Sequence, residues 1–145
     1  MSRGLLFAPK SEGARFSLLH VDDLCAYIFH MLMHWPAKSL IAEIDDGHLN
    51  GYSWQELADI AHDIFQRRIT RIDLPPHLLY GFARFNMLFS RLLGRAPMLT
   101  TGKVNELLAK DWVCAPDSGK DLSWKPAISF RAGLANLYNA SANDT

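Results

Sequence analysis

The sequence predicts a helix-rich mixed α/β (α+β) fold with a few short strands. Three observations predict it. A capping box at Ser53-Trp54-Gln55-Glu56 opens an amphipathic helix. A long apolar segment, 77–93, repeats at helical spacing. The β-like runs at 15–21, 40–44 and 69–74 are all too short for a large independent sheet.

Taken in order, residues 1–14 read as an irregular lead-in with a short apolar turn at Leu5 to Phe7. Arg15 to Val21 is β-like, with Phe16, Leu18 and Leu19 apolar and no breaker among them. Asp22 or Asp23 offers a carboxylate N-cap for a helix from about Leu24 to His34, stopped by Trp35-Pro36. Leu40 to Ile44 is a short strand candidate ending in the turn signal Asp45-Asp46-Gly47. Behind the Ser53 cap, Leu57, Ile60, Ala61, Ile64 and Phe65 mark one helix face, and Arg67 and Arg68 close its dipole.

Ile69 to Leu74 alternates as a strand and ends at Pro75-Pro76. The next helix spans about His77 to Leu93, with Gly94 as its C-terminal stop. Thr100 or Thr101 caps a helix through Leu108, and 111–114 is a short extended piece. Asp117 to Lys120 starts a helical turn, Trp124-Lys125-Pro126 breaks it, and Ser129 caps a last helix to about Tyr138. The small, polar residues 141–145 read as a flexible tail.

A chain of 145 residues, 49% apolar and 21% charged, is enough for one domain with a core. Fifteen basic and fifteen acidic side chains give zero formal net charge. That argues against a nucleic-acid partner, which would draw a basic excess, and it leaves self-association open. No run reaches the ~18 apolar residues of a membrane span. Cys25 and Cys114 lie in apolar surroundings and read as buried free thiols, which fits a cytoplasmic setting.

Several pieces then form an ordered set. Arg15-Phe16-Ser17-Leu18-Leu19-His20-Val21-Asp22-Asp23-Leu24 resembles a signature of the extended short-chain dehydrogenase/reductase family, which includes nucleoside-diphosphate-sugar epimerases and dehydratases. Ile44-Asp45-Asp46-Gly47 followed by Tyr52-Ser53-Trp54-Gln55-Glu56-Leu57 is similar to that family's strand and Ser-capped helix. Ile72-Asp73-Leu74-Pro75 is similar to its next strand, and 117–126 to its late Asp-x-Ser-Lys … Leu-Gly-Trp-x-Pro stretch. Gly133-Leu134 matches a pair in its closing helix. The set runs from Arg15 to Leu137.

The resemblance implies a substrate-binding C-terminal domain over 15–140, part of an NAD(P)-dependent epimerase, dehydratase or reductase. It would act on a nucleotide sugar or related small molecule. Neither of the family's cofactor and catalytic motifs is in this sequence. No Gly-x-x-Gly-x-x-Gly loop occurs among the nine glycines. Tyr27, Tyr52, Tyr80 and Tyr138 are followed four residues on by Met31, Glu56, Arg84 and Ala142, never by lysine. The expectation is therefore a lobe lacking the Rossmann nucleotide-binding half. It holds no cofactor itself, NAD or NADP being implied for the whole enzyme, and its partner is that half or another copy. The alternative is a stand-alone, non-catalytic binding or assembly module that keeps the scaffold.

Four residues are candidates for substrate binding. Arg15 is one, because a guanidinium fork suits phosphate. It stands one residue before the position of the family's arginine, where this chain has Phe16. His20 is another, with a hydrogen bond to backbone as its structural counterpart. Arg95 and Lys103 flank Pro97 to Thr101, which in the family helps wall the substrate pocket. Asp23 and Ser53 are read as structural caps. His30 and His34 share a helix face at i, i+4, but Met31 stands where a zinc protease helix has glutamate, so no metal site is assigned. Trp112 and Trp124 read as packing anchors. The 77–93 helix is too apolar for a simple surface helix. A membrane-interface role and a pocket wall or partner surface are the two readings, and the second is preferred.

Overall fold

The structure is a computed structural model that describes residues 4–34, 39, 41–115 and 123–143. Among these the order is β1 (Gly4–Pro9), β2 (Arg15–Phe16), α1 (Val21–Met33), β3 (Tyr52–Ser53), α2 (Trp54–Phe65), β4 (Ile69–Leu74), α3 (Pro76–Leu92), α4 (Thr101–Leu108), β5 (Asp111–Trp112) and α5 (Phe130–Asn143). The fold is helix-rich and mixed, as the sequence predicts. β1 pairs with β4 in parallel, from Gly4 opposite Ile69 to Pro9 opposite Leu74. The second sheet has the order β3-β2-β5, with β2 antiparallel to β3 and parallel to β5.

Several elements stand as the sequence predicts. β4 has the expected bounds. Ser53 closes a full capping box: its hydroxyl accepts from Glu56 N–H at 3.2 Å, and the Glu56 carboxylate accepts from Ser53 N–H at 2.6 Å. Thr100 caps α4 by accepting from Lys103 N–H at 3.2 Å. Ser129 accepts from Ala132 N–H at 3.3 Å at the head of α5. After α3, Gly94 turns left-handed at φ 63°. Arg95 N–H donates to Ser90 C=O at 2.9 Å and Gly94 N–H to Arg91 C=O at 3.4 Å, the paired bonds of a Schellman stop.

Other expectations are corrected. The lead-in is not irregular: Gly4–Pro9 is a strand, and its partner lies more than sixty residues away, where local pattern cannot show it. The β-like run 15–21 keeps ladder pairing only at Arg15–Phe16. Helix α1 starts earlier than expected, and its N-cap is His20, not Asp22 or Asp23: the His20 Nδ1 accepts from Asp22 N–H at 3.2 Å. Residues 41–44 form no strand; β3 lies later, at Tyr52–Ser53. The extended piece at 111–114 pairs only through Asp111–Trp112. Ser141 to Asn143 are not a loose tail but the last turn of α5. Cys25 is exposed and Cys114 half-buried, so the pair of buried thiols is not found. The stop at Trp35-Pro36, the residue Leu40 and the turn at Asp117 to Lys120 lie outside the described residues.

The core is thin. Its described apolar members are Ala8, Ala14, Tyr52, Ala58, Leu79, Ala83 and Val104, so four of the seven are alanines. Leu79 and Ala83 of α3 meet Val104 of α4, with Leu74, Leu99 and Leu108 around them. The chain exposes 10828 Å². A compact monomer of 16.4 kDa exposes about 7,500 Å².

Closure across the chain comes instead from carboxylates. Asp23 is 4% exposed and is the buried residue of α1, a helix whose Leu24, Ile28, Phe29 and Leu32 all face outward. Both Asp23 oxygens accept from Ala127 N–H at 3.1 Å, and Oδ2 also accepts from Ile128 N–H at 2.8 Å. Those bonds fix the approach to α5 against α1. Asp23→Ala leaves two backbone donors without their acceptor, so a loss of about 2–4 kcal/mol is expected in urea unfolding. Asp23→Asn keeps one acceptor oxygen and loses less. An alanine variant as stable as the parent would show that the tie does not hold α5.

Candidate functional site

The turn 45–51 and the head of α2 bring distant pieces of chain to one place. Asp45 accepts from Gly47 N–H at 2.9 Å and Asp46 from His48 N–H at 3.2 Å, so the Asp-Asp-Gly turn folds on its own side chains. The other Asp46 oxygen accepts from the Tyr52 hydroxyl and, at 2.8 Å, from Phe130 N–H at the start of α5. Burial, then the Asp46 hydrogen bond and charge, push the Tyr52 phenol well above its ordinary pKa. Tyr52 is therefore a neutral donor here, not a proton-transfer group near neutral pH.

Arg15 sits on the same junction. Its Nε donates to Asn50 C=O at 2.6 Å, and its Nη2 donates to Gly51 C=O at 2.8 Å and to the Glu56 carboxylate at 3.1 Å. Gly51 has φ 62°, and a Cβ there would lie 2.9 Å from the Phe16 carbonyl atoms. Only glycine lets the turn approach β2 so closely. Arg15 thus clamps β2, the turn and α2 together. Arg15 and Ser53 meet on one carboxylate, that of Glu56.

His20 lies elsewhere. Its ring rests on α5, where a Cβ on Gly133 would come within 2.8 Å of Cδ2. The capping bond to Asp22 makes His20 a structural histidine as well. Arg95 is the residue after the Schellman glycine, exposed, and outside the cavity that Lys103 lines. Asp23 ties backbone rather than capping α1. The structure therefore does not gather Arg15, His20, Arg95 and Lys103 into one site.

Lys103 does border a cavity of about 480 Å³ between β2, β5, the head of α2 and one side of α4. Phe16, Trp54 and Trp112 wall it, and Leu99 and Leu107 line it further. The Phe16 and Trp54 rings pack at 4.9 Å between centroids, tilted by 54°. Glu106, one helical turn from Lys103, completes its charged rim. Trp112 is 55% exposed, so it is a cavity wall and not the packing anchor expected. Trp124 does pack, edge-on to Tyr27 at 5.2 Å. Sequence reasoning missed Phe16, Trp54 and Glu106 as lining residues. The signal available was an aromatic directly after the Ser53 cap, which the helix pattern alone reads as core.

His30 and His34 stack at 4.5 Å, and the His34 Nδ1 lies 3.1 Å from the His30 C=O. No group of three or more His, Cys, Asp or Glu among the described residues is arranged to hold a metal ion. Among the same residues no helix is long and apolar enough to cross a membrane. No protein-family model matches the chain, and no curated protein matches it.

The Glu56 junction yields a pH test. The Ser53 N–H and hydroxyl, then Arg15, hold the Glu56 carboxyl below its ordinary pKa. A carboxyl with a depressed folded-state pKa adds stability above its unfolded pKa of about 4.3 and loses it as pH falls through the folded value. Glu56→Gln should thus be less stable than the parent at pH 7, and the gap should narrow as pH falls below about 4. Ser53→Ala should cost about 1 kcal/mol at neutral pH. Urea midpoints of the three proteins from pH 3 to 7 give the comparison; a gap constant across that range contradicts it.

Proposed function

We propose that this chain is the substrate-facing, C-terminal part of an NAD(P)-dependent epimerase, dehydratase or reductase of the extended short-chain dehydrogenase/reductase type, working in the cytoplasm on a small molecule. The cofactor loop and the Tyr/Lys pair would belong to a Rossmann half outside this sequence. One observation carries the reading. The pieces that resemble the family lie far apart in the chain, yet they pack on one another. The Asp23 carboxylate of the first piece holds the 127–128 backbone that joins the last two, and the His20 ring rests on Gly133 of the last. Asp46 of the second piece holds Phe130.

A second feature supports a missing covering half. Helix α3 buries Leu79, Ala83 and Ser90 on one face. Beside it runs an uncovered stripe of Leu78, Phe82, Phe85, Phe89 and Leu92, spaced four, three, four and three. Phe85 and Phe89 stack at 5.9 Å in the open. On β1, Leu5 and Phe7 are each 58% exposed. Parallel strands are normally covered on both faces. Surfaces of this kind mark contact with further protein. They serve equally the rival reading, a stand-alone assembly module that retains the scaffold.

Two measurements test the proposal. By calorimetry the chain should bind neither NADH nor NADPH at concentrations up to about 1 mM, the top of the usual substrate range. Micromolar binding would overturn the placing of the cofactor residues elsewhere. The coding sequence upstream of Met1 separates the two readings. An in-frame Gly-x-x-Gly-x-x-Gly and Tyr-x-x-x-Lys fits the enzyme part, and an independent start fits the module. The α3 stripe has its own test. Phe82→Glu with Phe85→Glu should change the unfolding free energy of this chain by no more than about 1 kcal/mol, because both rings are more than half exposed and the Phe85–Phe89 stack lies in the open. Unfolding of that double variant would show that the stripe belongs to the chain's own core.

A further inference from the structure

Resting on the reading of this chain as a substrate-facing part, we infer that the cavity beside Trp54 takes an apolar, ring-bearing alcohol or ketone and not a nucleoside diphosphate. The lining carries the argument. Phe16, Trp54 and Trp112 present three aromatic surfaces, which suit a flat ring system. The polar groups are few and of a particular kind. Lys103 and Glu106 stand three residues apart on α4, and neither makes an ion pair with another described residue. The Ser17 hydroxyl also lines the cavity but is already engaged, donating to the Asp45 carboxylate at 2.8 Å and accepting from Cys114 N–H at 3.1 Å.

A diphosphate needs several charge-assisted donors and no carboxylate among them. Here the lining supplies one ammonium and, a turn away, one carboxylate. The guanidinium nearest in sequence to this wall, Arg15, is held by Asn50, Gly51 and Glu56. A second negative charge would meet Glu106 with no cation of its own. An alcohol or ketone oxygen fits the same pair without conflict. The ammonium donates to the oxygen, and the carboxylate accepts from a hydroxyl hydrogen.

The test uses the isotope-labelled chain, with 2-naphthol as the ring-bearing probe and UDP and UDP-glucose as the diphosphates. 2-Naphthol is expected to shift the indole N–H resonances of Trp54 and Trp112 saturably, while UDP and UDP-glucose at the same concentration leave them unmoved. Lys103→Met and Glu106→Gln should each weaken 2-naphthol binding several-fold, as loss of one hydrogen bond does. Leu134→Ala, in a different cleft, should not. Both polar side chains are exposed, and the rest of the spectrum reports whether each variant is folded. Saturable shifts of Trp54 and Trp112 by UDP-glucose would overturn the substrate class and leave the pocket assignment standing. 2-Naphthol shifts confined to the exposed faces of α1 or α3, or none at the two indoles, overturn the inference too. Failure of the parent reading shows separately, as NADH binding by this chain.

Discussion

The Asp23 carboxylate is the bond on which this arrangement turns. Helix α1 is rich in leucine, isoleucine and phenylalanine, yet the side chain it buries is the aspartate. A buried carboxylate is costly unless its oxygens are satisfied. Asp23 meets that condition with backbone donors from more than a hundred residues away. Asp46 does the same between the 45–51 turn and the head of α5. Among the described residues four of the seven buried apolar side chains are alanines, so these carboxylate bonds reinforce the ring contacts of Phe65 with Tyr138 and of Tyr52 with Phe130 in holding α5. Charge-assisted hydrogen bonds to main-chain N–H groups are directional, so they also fix the register of α5 against α1 and the turn.

The same economy explains where the apolar residues go. In α3 the buried residues are small or medium, Leu79, Ala83 and Ser90, the first two packing on Val104 of α4, while the phenylalanines lie on the adjoining stripe and face outward. A single-layer helix pair cannot bury two stripes separated by about 100° on one helix. The second stripe needs another layer, and β1 needs one on the face that shows Leu5 and Phe7. This is why the helical pattern was readable and the location of the core was not. Periodicity tells that a face is apolar, and not which layer covers it.

What the sequence made legible follows the range of each interaction. The capping box at Ser53, the cap at Thr100, the stop at Gly94 and the Asp-Asp-Gly turn all close within a few residues, and each stands as read. β4 was legible because its alternation is bounded by Pro75. β1 was not, since Gly4–Pro9 becomes a strand only against Ile69–Leu74. Leu40 to Ile44 carries strand-like composition, but Ile41 is 97% exposed and 41–44 find no ladder partner. The role of Asp23 was half legible. Its place before an apolar run suggested a cap, and His20 takes that role, leaving the carboxylate free to reach 127–128. Of the candidate residues, Lys103 borders a cavity, which leaves its proposed role in binding a substrate to be tested. The aromatic lining was hidden, because Trp54 and Trp112 read equally well as core.

Phe16 links the sequence departure to the chemistry of the cavity. On the proposed reading, an arginine would stand one position after Arg15, where this chain has phenylalanine. The structure turns Arg15 toward Asn50, Gly51 and Glu56, and puts Phe16 into the cavity wall against Trp54. Under that reading the one-residue offset would exchange a cation for an aromatic ring on the cavity side of β2. Of the two residues of β2, Phe16 lines the cavity and Arg15 does not. On the proposed reading, that position would trade a phosphate ligand for ring-stacking surface, and the rest of the lining is consistent with the trade. Lys103 and Glu106 are left as the polar pair, which matches one oxygen better than a chain of phosphates.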